Sequence, residues 1–115
     1  MQNELGDKIR LKHILDAIEE VEKYLIEVDF PTFIENSMMR FASIKQMEII
    51  GEASNHVSQG LKSKFTEVEW AQIVGMRNVF AHEYFGIDSS LVWQIIKNDL
   101  PELKLKIKNI LQSIQ

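Results

Sequence analysis

The stretch Leu11–Val28 reads LKHILDAIEEVEKYLIEV, and its apolar residues recur every three or four positions. This spacing is typical of one long amphipathic helix with a single apolar stripe. The stripe consists of Leu11, Ile14, Leu15, Ile18, Val21, Leu25 and Val28. Because such a helix is stabilised mainly by tertiary packing, other segments of the chain must cover this stripe.

Helical signals continue beyond this segment. Phe30-Pro31 interrupts the pattern and predicts a connector around residues 29–36, in which Thr32-x-x-Glu35 has the spacing of a capping box. A second helix is expected from about residue 37 to residue 58, with Gly60 as the glycine that ends it. The connection between the first two helices is therefore expected to be short.

Three further segments are predicted downstream. A capping box at Thr66-x-x-Glu69 would begin a third helix, and Gly86 would end it. Asp88 or Ser89 can cap a fourth helix, and Pro101 suits the first turn of a final one. No stretch alternates with period two, and there is no internal repeat. We therefore expect an all-α fold, an up-and-down helical bundle of about four to five helices in one domain, residues 1–115.

Composition narrows the class of protein. The chain has no cysteine, which is typical of a protein kept in the reducing cytoplasm. No apolar run approaches the ~18 residues of a membrane span, so no membrane contact is expected. The net charge of −4 excludes a large generic nucleic-acid surface and confines any RNA site to a local cleft. A chain this short would gain from a second copy, which favours a homodimer.

One position breaks the apolar pattern of the third helix. The stripe of that helix consists of Trp70, Ile73, Val74, Phe80, Ala81 and Tyr84. This spacing predicts an apolar residue at position 77, where the sequence has arginine. A buried guanidinium is costly unless carboxylates or a ligand pair with it, and Glu48 and Glu52 of the second helix are candidate partners. Arg77 therefore forms either a salt bridge inside the bundle or part of an anion site.

His82 adds a second reactive group close to Arg77. An imidazole that titrates near neutrality can move a proton while a fixed cation stabilises a phosphorane-like anion, as metal-free RNA cleavage through the 2′-hydroxyl requires. At roughly 100° per residue, Arg77 and Tyr84 are nearly eclipsed, whereas His82 lies about 140° from Arg77 and above Asn78. If the three act together, either the helix loosens before His82 or a symmetry mate supplies a second set.

The polar side of the second helix offers a weaker pattern. Gly51 lies among its polar residues, where a missing side chain would let another backbone or a ligand come close. Glu48, Glu52 and His56 step by four, but this spacing matches no established metal site, so ion pairing or solvation is expected. Neither a metal nor another cofactor is predicted.

The segment Arg77–Tyr84 reads RNVFAHEY, and its R-x4-H-x-Y pattern resembles the signature of HEPN-domain toxins of the HepT kind. Ile49–Ala53 (IIGEA) resembles a helix of that family, and Ile73–Asn78 (IVGMRN) resembles the approach to its motif. The stretch Tyr84–Asp88, with Val92-Trp93 and Asp99–Pro101 after it, is similar to the family's sequence beyond the motif. The likeness spans nearly the whole chain from Leu11 onward.

The resemblance implies a helical bundle that dimerises with the motifs of both subunits facing a composite cleft. It also implies metal-independent endoribonuclease activity on cellular RNA, with Arg77 and His82 as the catalytic pair. Asn78 fits a polar position of the family and would orient His82 from one turn below. Glu52 is assigned, as a hypothesis, to holding Arg77.

A partner is implied as well. Toxins of this kind are neutralised by a minimal nucleotidyltransferase antitoxin of the MntA type, which can transfer AMP from ATP to the motif tyrosine, here Tyr84. The bulky negative group would then occupy the cleft and repel RNA.

Two other interpretations stay open. The cleft would also suit a non-catalytic module that binds a nucleotide or docks a nucleotidyltransferase, which fits the acidic net charge. Alternatively, Arg77, His82 and Tyr84 would only hold a dimer together. A His82→Ala variant separates these interpretations, because it abolishes cleavage in the first, alters binding in the second and lowers only stability in the third.

Overall fold

Helices make up nearly all of the chain that the computed structural model describes, which is residues 2–82 and 86–114, with side chains described for residues 5–80 and 86–114. The helices are α1 (Gln2–Tyr24), α2 (Phe30–Glu35), α3 (Ser37–Asn55), α4 (Gln59–Lys64), α5 (Trp70–His82), α6 (Ser89–Gln94) and α7 (Leu100–Ser113), with a π-helical stretch, Ile95–Asp99, between the last two. Within these residues no strand occurs, which confirms the prediction of an all-α fold.

The core is built on the stripe predicted for the first helix. Leu11, Ile14, Ile18 and Val21 of α1 are fully buried, and α1 packs against α3 on one side and α7 on another. α3 lies between α1 and α5, so it is the central helix of the bundle. None of the described helices is long and apolar enough to cross a membrane.

The connector after α1 contains a helix of its own, and its predicted cap is wrong. Asp29 caps α2, because its carboxylate accepts a hydrogen bond from the Thr32 backbone N–H at 3.0 Å. Thr32 therefore lies inside the helix, as does Pro31 in its first turn. Asn36 then caps α3 through the Met39 N–H at 3.0 Å.

The boundaries on either side of α4 also differ from the prediction. α3 ends at Asn55 rather than near residue 58, and Gly60 lies inside α4 instead of ending a helix. The reason is Ser58, whose side-chain oxygen accepts from the Leu61 N–H and starts a new helix there.

α5 begins at Trp70, three residues later than a cap at Thr66 would allow. Trp70, the first residue of the helix, is bonded back to the preceding segment. Its indole N–H donates to the Phe65 carbonyl at 2.9 Å, and its backbone N–H donates to the Val68 carbonyl. These bonds stabilise a turn where the capping box predicted helix. The predicted end of this helix at Gly86 comes after residues 83–85, which lie outside the described part of the chain.

α6 and α7 form one unbroken helical run through the π-helical stretch. Asp88 caps the run through the Ser90 N–H at 2.9 Å, and Pro101 lies in the first turn of α7, as predicted. Proline has no N–H and its ring clashes with the carbonyl four residues earlier, so a regular helix cannot pass through it undisturbed. The wider turn, with a Leu100 N–H to Ile95 carbonyl bond, accommodates this constraint.

A buried carboxylate ties the start of α1 to the end of α3. Asp7 is almost fully buried and accepts two hydrogen bonds from Ser58, one from the backbone N–H at 2.7 Å and one from the hydroxyl at 2.6 Å. Because Ser58 also caps α4, this contact fixes the turn between α3 and α4.

α3 and α5 approach each other closely at Gly51. A Cβ atom at this position would lie 2.7 Å from the Arg77 backbone nitrogen and 3.0 Å from the Ile73 carbonyl oxygen. Any larger residue would therefore push the two backbones apart. The prediction that another backbone approaches Gly51 is confirmed.

We expect Asp7→Ala to lower the free energy of unfolding by about 1–3 kcal/mol, because the variant leaves the partly buried Ser58 N–H and hydroxyl without their acceptor. Chemical denaturation measures this loss. Asp16→Ala, at an exposed position on the same helix, serves as the control and should change stability by less than about 0.5 kcal/mol. Equal stability of the two variants would contradict the role given to Asp7.

Gly51→Ala is expected to destabilise the protein by about 1–3 kcal/mol, since the new methyl group overlaps the backbone of α5. The matched control is Gly6→Ala in α1, where a Cβ meets nothing within 4 Å. There, helix propensity alone should stabilise by up to about 1 kcal/mol. The two variants should therefore shift the thermal midpoint in opposite directions, and a shift in the same direction would refute the packing argument.

Candidate active site

Arg77 lies where α5 crosses α3, at the close contact made by Gly51. Since its backbone rests directly on α3, its side chain extends along the surface of that helix toward Glu52. The Arg77 Nη1 atom lies 3.3 Å from the Glu52 Oε2 atom. The structure therefore brings together the arginine and one of the two carboxylates named as its candidate partners.

This ion pair holds the guanidinium loosely. A charge-assisted N–H···O bond is usually about 2.7–2.9 Å long, so the 3.3 Å contact through a single nitrogen is weak. The Arg77 side chain remains 34% exposed and that of Glu52 51% exposed. A guanidinium carries five N–H donors, so this geometry leaves Arg77 able to bind an anion from solvent.

Glu52 has a second contact on its other oxygen. The His56 Nε2 atom lies 2.9 Å from Glu52 Oε1, one helical turn along. This hydrogen bond, together with the charge of Arg77, keeps the pKa of the Glu52 carboxyl below its usual value. Glu52 is therefore charged at neutral pH and can orient both neighbours.

Glu48 forms an ion pair with Lys45, with 3.6 Å between the Nζ and Oε1 atoms. Among the described side chains, no group of three or more histidine, aspartate and glutamate residues is arranged to hold a metal ion. Of these three residues, Glu52 and His56 pair with each other across a four-residue step, whereas Glu48 pairs with Lys45 three residues earlier.

The other predicted site residues are described to different extents. Asn78 is exposed on α5. His82 is the last residue of α5, with its backbone helical but its side chain outside the described part of the structure. Tyr84 lies entirely outside the described residues. Because α5 stays helical through His82, the alternative in which the helix loosens before this residue is wrong.

A cavity lies on another side of α5, against the π-helical stretch and α7. It has a volume of about 290 Å³ and an apolar lining that includes Ile73 and Met76. Glu69, Asp99 and Glu102 also line it, and its lysine, Lys106, is paired with Glu102 and the Glu67 carbonyl. An acidic cavity disfavours phosphate, so we place the candidate active site at Arg77 instead.

Sequence reasoning did not identify His56 as a partner of Glu52. The signal was present in the four-residue spacing of the two side chains, which places them on one helix face. Ion pairing or solvation was expected for Glu48, Glu52 and His56 as a set, but the specific pairing of His56 with Glu52 was not predicted.

Comparison with known proteins matches most of the chain to one family. The family model described as Ribonuclease HepT-like covers residues 14–110. This range includes the contact at Gly51, the Arg77–Glu52–His56 contacts and the helix that ends at His82.

Individual relatives agree with this match. The chain is 41% identical to "Putative RNase MJ1380" of Methanocaldococcus jannaschii over 88% of this chain and 93% of the relative. It is 36% identical to "Probable ribonuclease HepT" of Thermococcus cleftensis, over 87% of this chain and 91% of the relative. No solved structure matches the chain. The family match and these identities, together with the site at Arg77, show that the chain belongs to the HepT-like ribonuclease family.

Proposed function

We propose that this protein is a metal-independent endoribonuclease of the cytoplasm that cuts cellular RNA and acts as the toxin of a toxin–antitoxin pair. The observation that carries the proposal is the state of Arg77, a cation anchored on α3 by one long contact to Glu52 and still one-third exposed. A phosphate group can approach such a guanidinium without first breaking a strong buried salt bridge. The relatives named as ribonucleases support the choice of RNA.

The chemistry needs only side chains. His82, acting as a general base, would take the proton of an RNA 2′-hydroxyl, whose oxygen then attacks the adjacent phosphorus. Arg77 would stabilise the extra negative charge on the phosphorane-like transition state. A protonated imidazole returns a proton to the departing 5′-oxygen, which leaves a cyclic 2′,3′-phosphate on one fragment and a free 5′-hydroxyl on the other.

A homodimer with a composite cleft would complete this site. On a helix that stays regular through His82, positions 77 and 82 lie about 140° apart around the helix axis. A second copy of the chain could therefore supply the group that one copy does not place beside Arg77. The open surface of α5 supports this arrangement: Val74 is only partly buried, and Val79 is 43% exposed. A second copy on this face would bury apolar area that one chain leaves in water.

The proposed antitoxin is a minimal nucleotidyltransferase of the MntA type that transfers AMP from ATP to Tyr84. The position of Tyr84 in the sequence supports this assignment, because it comes two residues after His82, the last residue of α5. The phosphate of AMP would place a negative charge beside Arg77, where it would compete with the RNA backbone. Modification at this point would therefore block the substrate site directly.

A second candidate function is a non-catalytic module whose cleft binds a nucleotide or docks the nucleotidyltransferase. It is favoured by the acidic chain, whose net charge is −4. This module would bind a nucleotide through Arg77 but would leave RNA intact.

Arg77→Ala and His82→Ala are each expected to lower RNA cleavage by the purified protein by about 10²–10⁴-fold, since they remove the anion stabiliser and the proton carrier. Cleavage is followed on a gel with total RNA, in the presence of a metal chelator. Arg40→Ala and His13→Ala are matched controls, because Arg40 lies more than three turns from Glu52 on α3 and His13 is exposed on α1.

Three results would count against the nuclease. If the folded wild-type protein leaves RNA intact but binds a nucleotide through Arg77, the non-catalytic module is correct. Loss of activity upon chelation would instead disprove metal independence. If His82→Ala lowers only the thermal midpoint, these residues merely hold the dimer together.

Tyr84→Phe is expected to retain RNA cleavage and to escape inhibition, because the variant lacks the hydroxyl that accepts AMP. The wild-type chain, incubated with the nucleotidyltransferase and ATP, should gain the mass of AMP and lose activity. Mass spectrometry and the cleavage assay measure both effects. Tyr24→Phe is the control, since the Tyr24 hydroxyl accepts a hydrogen bond from Gln46 within the fold. Continued modification of Tyr84→Phe would show that another residue is the acceptor.

A further inference from the structure

Glu52 is held from two directions. Its Oε1 atom faces His56 Nε2 at 2.9 Å, and its Oε2 atom faces Arg77 Nη1 at 3.3 Å. A charged carboxylate can only accept hydrogen bonds, so the Nε2 atom of His56 must carry a proton. Of the two contacts, the one with His56 is the shorter. His56 therefore binds the Glu52 carboxylate and does not contact Arg77 in this pair of bonds.

The backbone of His56 is anchored although its side chain is half exposed. Its N–H donates to the Ala53 carbonyl at 3.1 Å, and the next residue, Val57, is buried. Ser58 is bound by Asp7 of α1 through two hydrogen bonds. The Cα atom from which the imidazole extends is therefore held in place by the surrounding backbone contacts. This distinguishes His56 from a surface histidine on a mobile backbone that meets a carboxylate by chance.

Arg77 is the residue that gains from this arrangement. Glu52 is 51% exposed, and an exposed glutamate samples several rotamers unless something holds it. The hydrogen bond to His56 restricts those rotamers and leaves Oε2 directed at the guanidinium. Without it, the long contact to Arg77 would be lost for part of the time, and the guanidinium would lose its orientation.

We propose that His56 is a positioning residue of the active site, which holds Glu52 so that Glu52 holds Arg77. The inference rests on the proposed ribonuclease function, because the importance of Arg77 orientation depends on it. His56 touches neither the substrate nor the reacting atoms, so its effect passes entirely through the Glu52 carboxylate.

This role differs from a contribution to stability. Exposed ion pairs contribute little to the free energy of unfolding, and both partners of this pair are 51% exposed. Removing the imidazole should therefore leave the thermal midpoint nearly unchanged while it lowers the rate of cleavage. The expected loss in kcat is about tenfold, in the range found when the outer partners of a functional group are removed.

The test compares four variants by kcat and KM on one RNA substrate: His56→Ala, His56→Gln, Glu52→Gln, and His56→Ala combined with Glu52→Gln. We expect His56→Ala to lower kcat with little change in KM. His56→Gln should recover most of the rate, because the glutamine amide places an N–H donor near the position of Nε2. In the Glu52→Gln background, His56→Ala should have no further effect.

Two controls accompany these variants. His13→Ala removes an exposed histidine from α1 and should cleave at the wild-type rate. Glu20→Gln breaks an exposed ion pair with Lys23 and should do the same. Thermal unfolding of every variant shows whether a lower rate reflects a less stable fold.

Different results overturn different claims. If His56→Ala cleaves at the wild-type rate while Arg77→Ala is inactive, the positioning role is wrong and the ribonuclease function stands. If the losses from His56→Ala and Glu52→Gln multiply, His56 does not act through Glu52. If the folded wild-type protein does not cleave RNA, the proposed function fails, and this inference fails with it.

Discussion

The close approach of α3 and α5 at Gly51 is the constraint on which the site depends. Because the Arg77 backbone nitrogen would lie 2.7 Å from a Cβ at position 51, only glycine lets the helices meet at this distance. The contact delivers Arg77 next to the residue immediately after Gly51, which is Glu52. The steric fit between the backbones of α3 and α5 thus sets the position of Arg77, and the ion pair with Glu52 then orients its guanidinium.

Charge is distributed unevenly around α5. On the side that faces α3, the Arg77 guanidinium forms a loose contact with Glu52. On the side that faces α7, the cavity carries the carboxylates Glu69, Asp99 and Glu102. In a chain with a net charge of −4, an RNA strand would be repelled from most surfaces and attracted locally. This contrast would direct a few nucleotides to Arg77 without general affinity for nucleic acid.

The sequence was informative wherever a single periodic pattern governs the outcome. Leu11, Ile14, Ile18, Val21 and Leu25 of the predicted stripe are buried, and Leu15 is partly buried. The arginine at position 77 meets Glu52, one of the two carboxylates expected to pair with it. Helix boundaries were less predictable, because several residues compete for one cap: Asp29 rather than Thr32 begins α2. Ser58 illustrates a further limit, since its partner, Asp7, lies 51 positions away, and no local pattern indicates that contact.

The π-helical stretch has a consequence for how the chain tolerates changes in length. Each residue of a helix advances the side chains by about 100°, so one extra residue in a wide turn rotates everything after it by a similar angle. In this unbroken helical run, α6 can therefore contact α2 with one face while α7 contacts α1 with another. The π-helical turn therefore sets the rotation of α7 relative to α6 about the helix axis. An insertion or deletion directly after Pro101 would rotate the buried residues Leu103 and Ile107 out of the core. A change within Ile95–Asp99 would instead alter the angle between α6 and α7.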